Sequence, residues 1–275
     1  MSLKFIEKGH KYESMDDIVW TSVTTFINMF KAPFEKKKIA LKCSKSKKSK
    51  WYGIEPQVIM NIWEGETQRA IDLGNWYHNQ RENDMLSFST IQREGIDLPI
   101  IKPIIEEGEK IAPDQKISEG VYPEHFVYLK SAGLCGQADL VEIVNGKINI
   151  TDYKTNKEIK NKSYVNWEGL SQKMFAPVHH LDDCNLNHYN LQLSLYAYMI
   201  NKHNPKLKIG KLRVQHVVFE TEGEDEYGYP IFVSLPKTKY NNGEPVIKDI
   251  VMYDLPYLKN EVRNLIMWFK DKKAR

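Results

Sequence analysis

The sequence predicts an α/β (α+β) fold with a helical N-terminal region. Apolar residues recur at helical spacing early in the chain and again near its C-terminus. Between them, residues 117–153 are rich in Val, Tyr and Phe and contain an Asn-Gly pair, the strongest short signal for a β-hairpin. Helices around a run of strands favour a layered core. With 275 residues, 41% of them hydrophobic, the chain is long enough for one large domain or two small ones.

The elements of the N-terminal part follow from turns, caps and apolar spacing. Gly9 marks the turn of a small hairpin, and Ser22 is a favourable N-cap for a short helix. Proline is favoured in the first turn of a helix, so Pro33 and Pro56 each indicate a helix start. The predicted elements are strands at 4–6 and 10–12, helices at 22–30, 33–41, 56–77 and 101–111, and a flexible basic loop at 42–50.

The second part begins with strands and returns to helices. The segments 117–129 and 136–144 predict strands, and 147–153 predicts the partner strand across the Asn145-Gly146 turn. The remaining predicted elements are an irregular connection at 156–187, a helix at 188–202, a strand at 212–219 and an amphipathic helix at 255–272.

Composition excludes several classes of protein. No run approaches the roughly 18 apolar residues of a membrane span, and the N-terminus lacks a signal-peptide pattern, so we expect a cytoplasmic protein that is neither secreted nor membrane-bound. The three cysteines, at 43, 135 and 184, are odd in number and far apart. This argues against a disulfide framework, a paired-cysteine zinc site and an all-cysteine iron–sulfur cluster.

Charge is unevenly distributed along the chain. The net charge is only +3, yet residues 31–50, called the lysine tract below, contain nine lysines and one acid. Such a block beside a near-neutral whole indicates contact with a polyanion such as DNA. The alternative is a solvated helix face or a mobile loop. The lysines expected to bind DNA are Lys36, Lys37, Lys38, Lys45, Lys47 and Lys48.

The predicted hairpin carries the most informative chemistry. With Asn145-Gly146 as its two-residue turn, antiparallel pairing places Asp139 directly opposite Asp152. Two facing carboxylates repel each other unless a cation lies between them, and Mg²⁺ accepts one or two carboxylates together with water and phosphate oxygens. Lys154, two residues after Asp152, points to the same face, where its ammonium could contact a phosphate or a nucleophilic water. The alternative is a surface hairpin with a salt bridge.

These residues resemble a known family. Gly136-Gln137-Ala138-Asp139 followed by Asp152-Tyr153-Lys154 is similar to the core motifs of the PD-(D/E)XK nucleases. The segments Gly74-Asn75-Trp76-Tyr77-His78 and Gln192-Leu193-Ser194-Leu195-Tyr196 resemble two further marks of the RecB-like branch, and the segment 21–27 looks like phage and viral members. No phosphate-loop motif of a fused helicase is present.

The resemblance implies a restriction-endonuclease-like core, with a central mixed sheet flanked by helices, and a nuclease that uses Mg²⁺ or Mn²⁺. Residues 1–115 would form the mainly helical N-terminal region and 116–275 the nuclease core of one compact unit. Carried over to this sequence, the family's metal ligands would be His78, Asp139, Asp152, the carbonyl of Tyr153 and, as an accessory acid, Glu124, with Glu119 as its rival. The residues with catalytic roles would be Asp139, Asp152, Lys154, Gln192 and Tyr196, of which the last two would hold Lys154 or contact DNA.

The leading hypothesis is a DNA exonuclease that acts in recombination, repair or phage/viral DNA processing. Its substrate would be single- or double-stranded DNA, and a recombination or replication protein is a possible partner. Trp167, in the irregular connection, is expected to stack on a DNA strand or to pack on the core. The alternatives are a structure-specific DNA endonuclease and a DNA-binding recombination partner with an inactive nuclease site.

Overall fold

The structure, a computed structural model, describes residues 3–6, 11–166, 168–237 and 243–274. Within these residues the helices are α1 (Val23–Asn28), α2 (Lys36–Lys45), α3 (Pro56–Leu86), α4 (Asn185–His203) and α5 (Lys259–Ala274). The strands are β1 (Leu3–Ile6), β2 (Lys11–Ser14), β3 (Thr21–Ser22), β4 (Thr90–Arg93), β5 (Ile96–Pro99), β6 (Ile104–Glu106), β7 (Glu109–Ile111), β8 (Gly120–Leu129), β9 (Leu134–Val144), β10 (Lys147–Lys154), β11 (Lys208–Phe219), β12 (Thr221–Glu224), β13 (Pro230–Phe232) and β14 (Ile247–Leu255).

A six-stranded mixed sheet forms the centre of the molecule. Its order is β14-β11-β10-β9-β3, and β8 also pairs with β9. The β10–β11 and β3–β9 pairs are parallel, whereas β8–β9, β9–β10 and β11–β14 are antiparallel. The long connection from β10 to its parallel neighbour β11 contains α4, as a parallel pair requires a crossover.

Helices cover both faces of this sheet. On one face, Phe26 of α1, Leu191 of α4 and Leu265 of α5 pack with Val141 and Ile150 of the sheet. On the other face, Tyr77 of α3 packs with sheet residues that include Leu140 and Val217. Strands that are buried on both faces belong to the inside of an α/β protein. The predicted central mixed sheet flanked by helices is therefore confirmed.

The longest helix, α3, links the basic N-terminal part to the sheet. Its 31 residues correspond to about 46 Å of helix. Near its start, Ile59 packs with Ala40 of α2 and with Trp51. Near its end, Tyr77 packs against the central sheet. Each end of α3 thus anchors a different part of the molecule.

Several sequence predictions were wrong in detail. The second helix begins at Lys36 rather than Pro33, because the preceding chain is tied to the irregular connection through the Ala32 backbone N–H, which donates to Asp183. Helix α2 also continues to Lys45, so the basic segment 42–50 is partly helical. The side of α2 that carries Ala40 packs against α3, and this packing stabilises the helical part of the segment.

Two further corrections concern β-structure. The segment 101–111 contains β6 and β7 instead of a helix, because Glu107 and Gly108 both adopt positive φ (52° and 84°) and form a tight turn. Strand β14 was not predicted, since it is an edge strand whose residues are mostly exposed and so lacks a clean apolar alternation. The final helix accordingly begins at Lys259 rather than at 255. No helix within the described ranges is long and apolar enough to span a bilayer.

Candidate active site

Strands β9 and β10 bring Asp139 and Asp152 to matching positions. The Asn145-Gly146 turn has the two positive φ values of a tight hairpin (50° and 68°), and the backbone ladder keeps the predicted register up to the Leu140–Thr151 pair. The next pair in this register is Asp139 and Asp152. Both side chains are buried, with exposed fractions of 9% and 1%.

A third acid lies on the other side of Asp139. The β8–β9 ladder pairs Pro123 with Leu140 and His125 with Ala138, so Glu124 is the residue opposite Asp139. Glu124 has φ 48°, in the left-handed region that a glutamate rarely adopts. Backbone strain of this kind is concentrated at functional sites. The register therefore places three acids in one row across β8, β9 and β10.

The rival acid, Glu119, lies at the far end of this strand pair. Its carboxylate accepts a hydrogen bond from the Gly146 backbone N–H at 3.2 Å, at the hairpin turn. It is therefore remote from the row that contains Asp139.

Helix α3 supplies an imidazole to the same place. His78 Nδ1 lies 3.5 Å from Asp139 Oδ1 and 3.8 Å from Glu124 Oε1, and Nε2 lies 3.1 Å from the carbonyl oxygen of Tyr153. Burial alone would lower the pKa of His78, but Asp139 and Glu124 outweigh it and raise the pKa to about 9. The backbone N–H of Tyr153 donates to Asp139 Oδ2 at 2.6 Å, which fixes the orientation of that carboxylate.

Asp152 is held by a lysine and an amide. Lys154 Nζ lies 2.5 Å from Asp152 Oδ2, and Gln192 Nε2 donates to Asp152 Oδ1 at 3.3 Å. Burial would lower the pKa of Lys154, but Asp152 and Asp139 raise it above its usual range, so the ammonium is charged. The pKa of Asp139 is raised by burial and by the proximity of Asp152.

Gln192 and Tyr196 lie one turn apart on α4, with Gln192 Nε2 3.4 Å from the Tyr196 hydroxyl. Tyr196 packs against β9 where the strand has no side chain, since a Cβ added at Gly136 would come within 2.8 Å of the Tyr196 ring. The Gly-x-x-Asp pattern thus has a packing reason. A cleft of about 800 Å³ opens over this group, and its lining includes His78, Glu124, Asp139, Asp152 and Lys154.

Comparison with known families agrees with this geometry. The model of the PD-(D/E)XK nuclease superfamily matches residues 47–271. This chain belongs to that superfamily. Neither the curated proteins nor the solved structures contain a match to it. As a member of this superfamily, the protein is a nuclease. PD-(D/E)XK nucleases use divalent metals.

The donor atoms present fit such a metal. One ligand atom from each of His78, Glu124 and Asp139 lies within 4.8 Å of the others. Asp152 is not in this group, and its two oxygens lie against Gln192 and Lys154. Among the described residues, Asp152 Oδ2 is nevertheless a buried oxygen without a well-oriented hydrogen bond. Carboxylate oxygens with one imidazole suit Mg²⁺ or Mn²⁺ better than a thiolate-seeking metal.

The lysine tract of this PD-(D/E)XK nuclease lies elsewhere. Lys37, Lys38, Lys45, Lys47 and Lys48 are exposed, and Lys36 is half-buried. Lys36 pairs with Glu64 of α3 at 2.5 Å, and Glu64 precedes His78 by about 21 Å along the helix at 1.5 Å per residue. None of the lysines of the tract is among the residues that line the cleft.

A further ion pair lies in the cleft beside His78. Glu82, one turn after His78 on α3, accepts a hydrogen bond from Lys110 Nζ at 3.0 Å. Lys110 also lies 3.8 Å from Glu124. No sequence signal pointed to Lys110, because its segment was expected to be helical. Trp167 lies outside the described residues.

The two motif glycines of this nuclease should respond differently to alanine. At Gly136 the added Cβ clashes with Tyr196, which is itself buried, so we expect Gly136→Ala to cost about 1–3 kcal/mol of unfolding free energy. At Gly74 the nearest atom, Thr155 Oγ1, lies 3.5 Å away, which is ordinary contact. Gly74→Ala should therefore be neutral or stabilising by up to about 1 kcal/mol, since it removes a helix glycine. Urea titration of both variants measures the difference, and equal stabilities would contradict the packing argument.

Proposed function

We propose that this protein is a Mg²⁺- or Mn²⁺-dependent DNA exonuclease of the RecB-like branch, active in recombination, repair or phage/viral DNA processing. The observation that carries the proposal is the convergence of three carboxylates, one imidazole and one ammonium at a single level of the central sheet. Such a group matches what phosphodiester hydrolysis needs: oxygen ligands for a divalent cation, and a positive charge for the scissile phosphate.

Each residue has a proposed role. Asp139, Asp152, Glu124 and His78 are the metal ligands, and the Tyr153 carbonyl has a second lone pair to offer beyond its contact with His78. A ligating histidine commonly donates its other ring N–H to a carbonyl, as the Nε2 contact of His78 would do. Gln192 fixes the rotamer of Asp152, and Tyr196 supports Gln192.

The bound cation would polarise the phosphate and acidify a water. Lys154, charged and next to Asp152, would contact the phosphate oxygen or orient that water. The buried walls around Asp152 and Tyr196 limit solvent access and so strengthen these electrostatic contacts.

Digestion of labelled DNA tests exonuclease activity directly. Linear single- and double-stranded DNA, labelled at the 5′ or 3′ end, would be incubated with Mg²⁺ or Mn²⁺ beside covalently closed circles. An exonuclease shortens the linear molecules from an end and leaves the circles closed. Cleavage of the circles at a similar rate would favour the structure-specific endonuclease. Binding without cleavage of any DNA or RNA would favour an inactive DNA-binding partner.

The lysine tract is proposed to bind DNA at a place separate from the active site, so that it contributes to affinity and not to the chemical step. Charge contacts with phosphate depend on counterion release, with slopes in log K against log salt of about −0.7 per contact on single strands and −0.9 on duplex. Replacing Lys45, Lys47 and Lys48 with Ala should flatten the slope by about two to three units and weaken binding alike for all sequences. Cleavage at saturating DNA should change less than affinity.

A matched triple variant controls for net charge. Lys206, Lys208 and Lys211 are also exposed, but Lys208 pairs with Lys147 at the opposite end of β10 from Lys154. Their replacement with Ala should leave the salt slope close to that of the wild type. Equal slopes in the two triple variants would contradict the proposed role of the tract.

A further inference from the structure

Lys154 is confined from two sides. Its Nζ lies 2.5 Å from Asp152 Oδ2 and 4.9 Å from the centroid of the Tyr189 ring. Only 18% of the Lys154 side chain is exposed, so much of the water that would otherwise solvate the ammonium is excluded. A desolvated ammonium over an aromatic face is attracted to it more strongly than an exposed one. The ring and the carboxylate together restrict where the ammonium can lie.

Tyr189 is itself fixed in place. Its hydroxyl donates to Asn156 Oδ1 at 2.7 Å, and the backbone carbonyl of Asn156 is 2.6 Å from Nε2 of His216, a buried residue of β11. Asn156 follows Lys154 by two residues, at the exit of β10. One tyrosine therefore contacts the head of Lys154 and also ties down the chain that carries Lys154.

Helix α4 presents this tyrosine in line with the motif residues. Tyr189 precedes Gln192 by three residues and Tyr196 by seven, a spacing that puts all three on one helix face. Gln192 contacts Asp152 on this face, while Tyr189 contacts Lys154. The same face of α4 thus supports both members of the Asp152–Lys154 pair.

We propose that Tyr189 is a positioning residue that holds the ammonium of Lys154 toward the scissile phosphate; this rests on the nuclease function proposed above. With Asp152 and the Tyr189 ring each occupying one side of Nζ, the ammonium keeps its remaining N–H groups for the cleft. Loss of the ring would let Lys154 adopt other rotamers, so turnover would fall while the metal ligands stayed intact.

A variant series separates this role from simple packing. Tyr189→Leu removes the aromatic face, and Tyr189→Phe and Tyr189→Trp keep one. Tyr198→Leu is the matched control, because Tyr198 is also on α4 and packs against the same core, but the ammonium over its ring is that of Lys202, with Nζ 5.3 Å from the centroid, and not that of Lys154. For each variant, kcat and KM for DNA, the Mn²⁺ Kd and the thermal midpoint would be measured.

We expect kcat of Tyr189→Leu to fall about 10- to 30-fold, because the cation–π contact would no longer hold the Lys154 ammonium in the position from which it acts. KM and the Mn²⁺ Kd should change by less than about twofold, and the thermal midpoint should fall no further than in Tyr198→Leu. Tyr189→Phe and Tyr189→Trp should recover most of the turnover.

The proposal is overturned if Tyr189→Leu keeps wild-type kcat, if Tyr189→Phe is as slow as Tyr189→Leu, or if Mn²⁺ affinity falls in step with turnover. Absence of cleavage by the wild-type protein would instead overturn the proposed nuclease function. The two failures are therefore distinguishable.

Discussion

Asp152→Ala should abolish DNA cleavage, lowering the rate by about a thousandfold or more, which corresponds to at least about 4 kcal/mol of transition-state stabilisation. Asp152 is buried between Lys154 and Gln192 and faces Asp139 across the hairpin. Alanine would remove a proposed metal ligand and leave the Lys154 ammonium without its carboxylate partner. Loss of one of two neighbouring buried acids also relieves repulsion, so the fold should survive.

Initial rates of cleavage of end-labelled DNA, measured with saturating Mn²⁺, check this expectation. Asp97→Ala is a suitable control, because Asp97 is an exposed aspartate on β5. It should cleave DNA at the wild-type rate. If the Asp152→Ala protein, shown to be folded by circular dichroism, cleaves as well as the control, the assignment of the active site is wrong.

Mn²⁺ should raise the thermal midpoint of the wild-type protein, and Asp139→Asn and Glu124→Gln should each blunt this rise. A cation that binds only the folded state adds about 2.7 kcal/mol at a hundred times its Kd, or roughly 5–10 °C for a chain of this size. The response is expected because the site concentrates acids: burial and Asp152 both raise the pKa of Asp139, which signals that its charge is unfavourable without a cation.

Glu119→Gln is the matched control for Glu124→Gln. Glu119 immediately precedes the strand that carries Glu124, but it contacts the hairpin turn at Gly146 instead of the cleft. This variant should keep the full Mn²⁺ response, whatever its own stability. The same response in Glu119→Gln and Glu124→Gln would place the metal away from Glu124.

The part of the site that follows from local rules could be predicted from the sequence. The Asn145-Gly146 turn fixes the register of β9 and β10, and the register places Asp139 beside Asp152. Helical spacing likewise put Gln192 and Tyr196 on one face of α4. These predictions required only the Asn-Gly turn signal and the spacing of residues along a helix.

Features that depend on tertiary packing were not accessible in this way. Lys110 enters the cleft from β7, whose pairing with the distant β1 no local pattern reveals. The lysine tract includes α2, whose packing against the start of the long helix α3 sets where these lysines lie, and no pattern along the chain reveals that packing. The edge strand β14 is mostly exposed, and its sequence lacks a clean apolar alternation.

The measurement that tests the central claim most directly is the position of bound Mn²⁺, determined from its anomalous scattering in crystals of the protein soaked with MnCl₂. We predict a peak enclosed by Asp139, Glu124 and His78 and bordered by Asp152, and its loss in crystals of Asp139→Asn. A protein that cleaves DNA with Mn²⁺ but shows its anomalous peak away from Asp139 and Asp152 would contradict the account.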